Sequence, residues 1–198
     1  EIGVGNYSEC NTKFLLMNDF WTGVVIEGNK ELVNQIKDNE ICWKYGLKVV
    51  SEWVRKDNIN NIIEKNLLKD KVGLLSLDID SNDYWIWKAI DVINPQVVII
   101  ETHNEFGMND IIVPYDSKYE YPGIHPDYHG ASPVAMNKLA NSKGYRLVGA
   151  NKLGFNFIFL RNDLIPELKE VFQNNKLGSF RANVKAGKNY GELKELNI

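Results

Sequence analysis

Two cysteines among 198 residues, Cys10 and Cys42, are too few for a disulfide scaffold. Neither sits in a C-x-x-C pair, so a redox motif or a zinc knuckle of that kind is excluded. They read as free thiols in a reducing compartment, with a disulfide left open, and the expected location is the cytoplasm. An excess of charge of either sign is also missing. The net charge is −3 and the pI about 5.7, which gives nothing to hold nucleic acid or an acidic membrane. The basic residues are dispersed, and Lys185 and Lys188 near the end are too sparse for a phosphate patch. No apolar run approaches the length of a membrane span, and no signal peptide is expected. The chain shows no repeats and no domain-splitting linker, which predicts one domain over residues 1–198.

What is present is an ordinary globular composition, 44% hydrophobic and 25% charged, long enough to bury a sizeable core. The most informative stretch is Glu1-Ile2-Gly3-Val4-Gly5. Two glycines two apart let a backbone turn tightly and approach a ligand closely. Val24-Val25-Ile26-Glu27-Gly28 follows, an apolar strand pattern ending in a carboxylate. Its place, roughly twenty residues on, is where ribose hydroxyls are usually read. Together they predict a nucleoside-type cofactor. Glu1 already falls near the end of a strand, so the first strand is expected to be incomplete at its amino end.

Along the rest of the chain, apolar runs alternate with helical patterns, which predicts βαβ units and a mostly parallel sheet. Asn29 reads as an N-cap, with Leu32, Val33 and Ile36 at helical spacing behind it. Residues 47–54 read as a strand, and Ile59, Ile62, Ile63 and Leu67 as the stripe of the next helix. Residues 72–79 form another strand, with Asp78 and Asp80 at its carboxyl end. The helix after it places Ile86, Ala89, Ile90 and Ile93 on one face, flanked by Trp85, with Tyr84 and Trp87 outside. Pro95 is expected to end it, and residues 97–101 form a strand reaching Glu101. Residues 102–130 are a long polar and aromatic connection holding all three histidines, and connections of that length are usually functional. Ser132-Pro133 predicts a capped helix closed by Gly144. Residues 145–148 and 156–160 predict a final, antiparallel-looking strand pair, and the tail after Arg161 a helical segment with a Gly- and Lys-rich end.

In this order and spacing the chain resembles the class I S-adenosylmethionine-dependent methyltransferases, most of all their FkbM-like branch. Glu1-Ile2-Gly3-Val4-Gly5 is similar to the glycine-rich first motif of that family, and Val25-Ile26-Glu27-Gly28 to its acidic second motif. Leu75-Ser76-Leu77-Asp78-Ile79-Asp80 looks like the family's fourth-strand motif, though Ser81 stands where glycine is common. Residues 97–101 and 145–160 fit the later strands. The resemblance covers roughly the first 160 residues. It implies a Rossmann-like α/β fold: a mostly parallel seven-stranded sheet, an antiparallel final strand, and helices on both faces.

The resemblance also implies a site. Glu1, Gly3, Gly5, Glu27, Gly28 and Asp78 would bind S-adenosylmethionine, with Trp53 stacking on adenine or packing in the core. Asp78 and Asp80 lie two apart at a strand end, so strand alternation points them to one side. With Glu101 and His103 they could converge. Oxygen-rich ligands with one imidazole suit Mg²⁺ or Mn²⁺ better than zinc, which makes Asp78 and Glu101 candidate metal ligands. The opposing reading has Asp78 touching the cofactor, Asp80 capping the next helix and no metal. Asp80, His103 and His129 are the candidate catalytic groups, since a carboxylate or a near-neutral imidazole can take a hydroxyl proton. His125, His129, Tyr115, Tyr119, Tyr121 and Tyr128 suggest a substrate lid. Trp85 and Trp87 read as packing or an oligomer face, which keeps a homodimer open. The expected reaction is O-methylation of a small-molecule or sugar hydroxyl, with N-methylation open. Two rivals are a nicotinamide-dependent oxidoreductase, disfavoured by Ser8 in place of the third glycine, and a non-catalytic module on the same fold.

Overall fold

Residues 1–66 and 72–170 are described in the computed structural model of the chain. Leu67, the Gly- and Lys-rich end, and Lys185 and Lys188 lie outside the described residues. Strand β1 (Val24–Glu27) pairs in parallel with β2 (Lys48–Ser51), Val24 opposite Lys48 and Glu27 opposite Ser51. Strand β3 (Leu74–Leu77) pairs in parallel with β4 (Val97–Glu101). The last strand in sequence, β6 (Asn156–Arg161), runs antiparallel between β4 and β5 (Tyr145–Ala150).

The sheet therefore differs in detail from a continuous seven-stranded one. A two-stranded and a four-stranded sheet are joined by a seam of main chain at residues 1–3. Ile2 bridges both Ile26 and Leu77 in parallel. Its N–H donates to the Ser76 carbonyl (2.9 Å), and its own carbonyl accepts from Asp78 N–H (3.1 Å). Gly3 N–H donates to the Ile26 carbonyl across the other side (3.0 Å). Strand order thus reverses at the seam while direction is kept, and the carboxyl ends of β1, β3 and β4 face one crevice, where open α/β sheets bind ligands.

Helices cover both faces of β1. Helix α1 (Lys13–Asn18), α2 (Lys30–Asp38) and α3 (Glu40–Tyr45) enclose Val25, Ile36, Ile41 and Leu47 on one side. Helix α4 (Ile59–Asn66), α5 (Asp83–Ala89) and α6 (Pro133–Ser142) enclose Ile26, Ile62, Leu77, Ile86 and Met136 on the other. Two caps act as expected. The Asn29 carbonyl oxygen of the side chain accepts from Glu31 and Leu32 N–H, and Ser132 Oγ accepts from Ala135 N–H.

Other elements end sooner than expected. Helix α5 stops at Ala89 because Ile90 turns extended, well before Pro95. Its inward stripe then runs Asp83, Ile86, Trp87, Ile90, at i, i+3, i+4 and i+7. Trp87, expected outside the stripe, is only 1% exposed and packs on Tyr145 and Phe159. Tyr84 is buried too. Residues 162–170 form turns rather than a helix. Cys10 and Cys42 are free thiols, each donating to a backbone carbonyl, and burial pushes the Cys10 thiol up to about 11. Among the described residues, no helix is long and apolar enough to cross a membrane.

Candidate functional site

Gly3 and Gly5 do different work. Gly3 has φ +74°, and a Cβ there would sit 1.8 Å from the Asp78 carbonyl oxygen. Its glycine is needed for backbone against backbone, where the seam crosses the end of β3. Gly5 has φ +55°, and a Cβ there would meet nothing within 4 Å, so it borders open space. Gly5 N–H donates to Glu27 Oε2 (2.9 Å), and Asn29 N–H donates to Glu27 Oε1 (2.8 Å). The Glu27 carboxylate, 8% exposed, thus ties the glycine turn to the end of β1. Each of its oxygens keeps a lone pair for a further donor.

Trp53 stands clear of the core, at 65% exposed. Its indole lies so close over Gly28 that a Cβ there would come within 2.2 Å of the ring. The ring is therefore a platform beside Glu27, supported from below by Gly28. Glu1 is engaged elsewhere. Its carboxylate accepts from Asn11 N–H (2.8 Å), Ser76 Oγ (3.1 Å) and both the N–H and hydroxyl of Thr12. It anchors the start of α1, whose N-cap Thr12 has no cap of its own.

The second half of the site is acidic. Leu77 lies opposite Ile100, so Asp78 emerges beside Glu101, and Glu101 lies opposite Asn156. One ligand atom each from Asp78, Asp80 and Glu101 falls within 4.8 Å of the others. Burial, then the Asp80 charge, pushes the Asp78 carboxyl up to about 6. Burial and the Asp78 charge push Glu101 well above the carboxylate range, and the two carboxyls share a hydrogen bond. Asp80 is exposed, with a left-handed φ of +67°. It does not cap α5. Asn82 holds the cap position without a side-chain bond, while Asp83 Oδ1 accepts from Ile79 N–H (2.9 Å). Asp83 is 1% exposed, and burial and the Asp78 charge raise it strongly.

Residues 102–130 roof these acids with rings. His103 and His129 lie 4.1 Å apart with their rings tilted by 50°, His103 meets Phe106 at 5.0 Å, and Tyr119 and Tyr121 flank His129 at 6.2 and 5.9 Å. The two histidines among the catalytic candidates meet main chain, and His103 Nδ1 also lies 3.7 Å from Glu105 Oε2. His103 Nε2 donates to the Asp127 carbonyl (2.9 Å), and the carbonyls of Asp80 and Pro126 face the His129 ring. Burial lowers both, His103 to about 4 with the neighbouring His129 adding to the effect. Lowered in this way, both rings favour their neutral form. His125 Nδ1 accepts from Asp127 N–H within its own turn. The roof is pinned by Trp85, whose Nε1 donates to the Val113 carbonyl (2.8 Å), and by Asn82 paired with Asp116.

Two residues here, Asp83 and Asn156, were not singled out by sequence, and Tyr119 was named only among the lid tyrosines. Asp83 reads locally as a helix-start acid. Tyr119 is one tyrosine of four, yet its hydroxyl is buried without a partner and raised to about 12 by burial and the nearby Asp80. Asn156 donates its amide to Asp78 while its Oδ1 is buried and unpartnered. The one available signal was a lone amide between Phe155 and Phe157 in an apolar strand. A cavity of about 1040 Å³ lies away from these acids, at the opposite ends of β1 and β3, lined by Trp21, Leu47, Ile62 and Leu74 among others.

No protein-family model and no curated protein sequence matches the chain. Among solved structures it is similar to the N-terminal domain of EvdMO1 with SAH bound. Identity is 9%, the TM-score 0.50, and the match covers 81% of this chain and 71% of that one. A further likeness is to an S-adenosylmethionine-dependent methyltransferase from Clostridium acetobutylicum ATCC 824, 12% identical with a TM-score of 0.44, covering 81% and 82%. At such identities the first likeness is one of fold.

Proposed function

From a methyltransferase-like α/β fold, we propose that this protein is an S-adenosylmethionine-dependent methyltransferase of the FkbM-like kind. The observation that carries the reading is the cradle at the strand ends. Glu27 clamps the Gly5 turn, space opens beside Gly5, and the Trp53 ring lies bare beside Glu27. Glu27 would take the ribose hydroxyls, Trp53 the adenine, and the Gly5 turn and Asp78 the amino-acid end. S-adenosylmethionine supplies an activated methyl group when bound.

The chain's own task is to orient an acceptor and take its proton. Asp80 is exposed beside Asp78 and Glu101, under a roof of tyrosine and histidine rings. It is the group we assign as general base, with His103 and His129 holding the roof. The expected acceptor is a hydroxyl of a small molecule or sugar. Asp78 and Glu101 would hold Mg²⁺ or Mn²⁺, since their oxygens fit a hard cation. That cation would supply positive charge beside the acceptor oxygen.

Calorimetric titration with S-adenosylmethionine, with NAD⁺ as comparison, tests the cofactor. Micromolar binding of S-adenosylmethionine alone is expected. Binding of NAD⁺ instead would move the chain to the oxidoreductase reading. Asp80→Asn should keep cofactor affinity and lose most turnover, about a hundredfold or more. Near-normal turnover would remove Asp80 as the base.

A further inference from the structure

We infer that Asn156 is the neutral oxygen ligand of a divalent-cation site whose charged ligands are Asp78 and Glu101. This rests on the cation reading above and adds a residue to it from a different strand. Three carboxylates near one another are common on protein surfaces and do not by themselves make a site. Asn156 is the independent observation. It is 7% exposed, and its Oδ1 has no hydrogen-bond partner. A buried acceptor left unpaired forfeits its hydration with nothing in return. Native structures keep few of them, and each calls for a physical reason.

The orientation of the amide is set by its neighbour. Asp78 accepts a hydrogen bond from the Asn156 side chain, so the NH₂ end faces Asp78 and Oδ1 is the end left over. Strand register places the residue. Asn156 opens β6 directly opposite Glu101 at the end of β4, and Asp78 follows β3 on the other side of β4. Three adjacent strands thus contribute one oxygen-bearing side chain each to one end of the sheet. Asn156 is also fixed along its main chain, since Asn151 N–H donates to its carbonyl (2.9 Å). Two carboxylates and an amide oxygen form a hard donor set with less than full coordination. Mg²⁺ and Mn²⁺ fill the remainder with water or substrate oxygens. Asp80, on the open side, is then left to face the acceptor.

Two variants separate a ligand from a prop. Asn156→Leu removes both the oxygen and the bond to Asp78. Asn156→Asp removes only the donor and keeps an oxygen. Mn²⁺ alone is titrated into the full chain, free Mn²⁺ is read by electron paramagnetic resonance, and melting curves check folding. Wild type should bind one Mn²⁺. Asn156→Leu should weaken binding about tenfold or more, and Asn156→Asp should hold it or tighten it. Equal weakening in both variants would mean that Asn156 only positions Asp78, and the inference is overturned. So it is if neither variant differs from wild type, which leaves the Asp78–Glu101 reading standing. A wild type that binds no Mn²⁺ removes both. Should Asn156→Leu fail to fold, Asn156→Asp decides alone: weakening overturns, retention supports.

Discussion

A glycine pair that looks uniform in sequence splits into two physical roles. Gly3→Ala drives a Cβ into the Asp78 carbonyl, a clash that no side-chain rotation relieves. We expect a loss on the order of 3 kcal/mol or more, read as a large drop in melting temperature. Gly5→Ala meets no atom and carries only the left-handed φ, about 1–2 kcal/mol. Its new methyl group would instead occupy the space beside Glu27, so the loss should appear in S-adenosylmethionine affinity by calorimetry. Equal stability loss in both variants would contradict this division. The spacing of the glycines was legible because any tight turn at a strand end demands it. Which glycine faces a ligand was not, since that depends on where β3 passes, some seventy residues away. Glu1 shows the same limit: its type fits a cofactor motif, while its bonds come from two separate places, Asn11-Thr12 and Ser76.

Elements with local signals were readable. Asn29 and Ser132 cap their helices through neighbours two or three residues on, which the sequence displays directly. The inward face of α5 was misjudged because its end is set by Ile90 turning extended, not by Pro95. The roof over the acids was legible only as an aromatic segment, because its attachments are all long-range. Ser132 illustrates how helix and roof are coupled. Its Oγ accepts from Ala135 N–H within α6 and from Ile111 N–H in the roof (both 3.1 Å). Ser132→Ala should cost about 1–2 kcal/mol as a lost cap. Hydrogen exchange should rise at residues 111–113 as well as in the first turn of α6. Exchange confined to the helix would show that the roof does not depend on Ser132 Oγ and is held by its other bonds, such as Val113 N–H to the Gly130 carbonyl.

At the scale of the molecule, the acids of the site set a pH dependence. Asp78 is raised from 3.8 to about 6, so between those values the folded chain holds a proton that the unfolded chain releases. Its contribution is full below about pH 4 and is lost as pH rises through 6, roughly 3 kcal/mol at most. His103 opposes it, since lowering to about 4 makes stability fall as pH drops below 6.5. A melting curve of the wild type mixes these with the shifted Asp83, Glu101 and His129, so the test is the difference between Asp78→Asn and wild type. That difference should move in favour of the variant from pH 4 to pH 7 and then level off; a flat difference would contradict it. The α/β class, the order of elements and the antiparallel last strand were legible from alternation and turn signals. The meeting of Asp78 and Glu101 was expected from the family's strand order, while Asn156 beside them was not, because only strand register brings it there. The seam at residues 1–3 has its own consequence. Glu27 and Trp53 stand at the end of one sheet, Asp78, Glu101 and Asn156 at the end of the other, and the main-chain spine between the sheets is three residues wide. A molecule lying across the crevice acts as a clasp on an open book. Whatever grips it more tightly also makes the two pages harder to part, so occupancy and mechanical integrity rise and fall together.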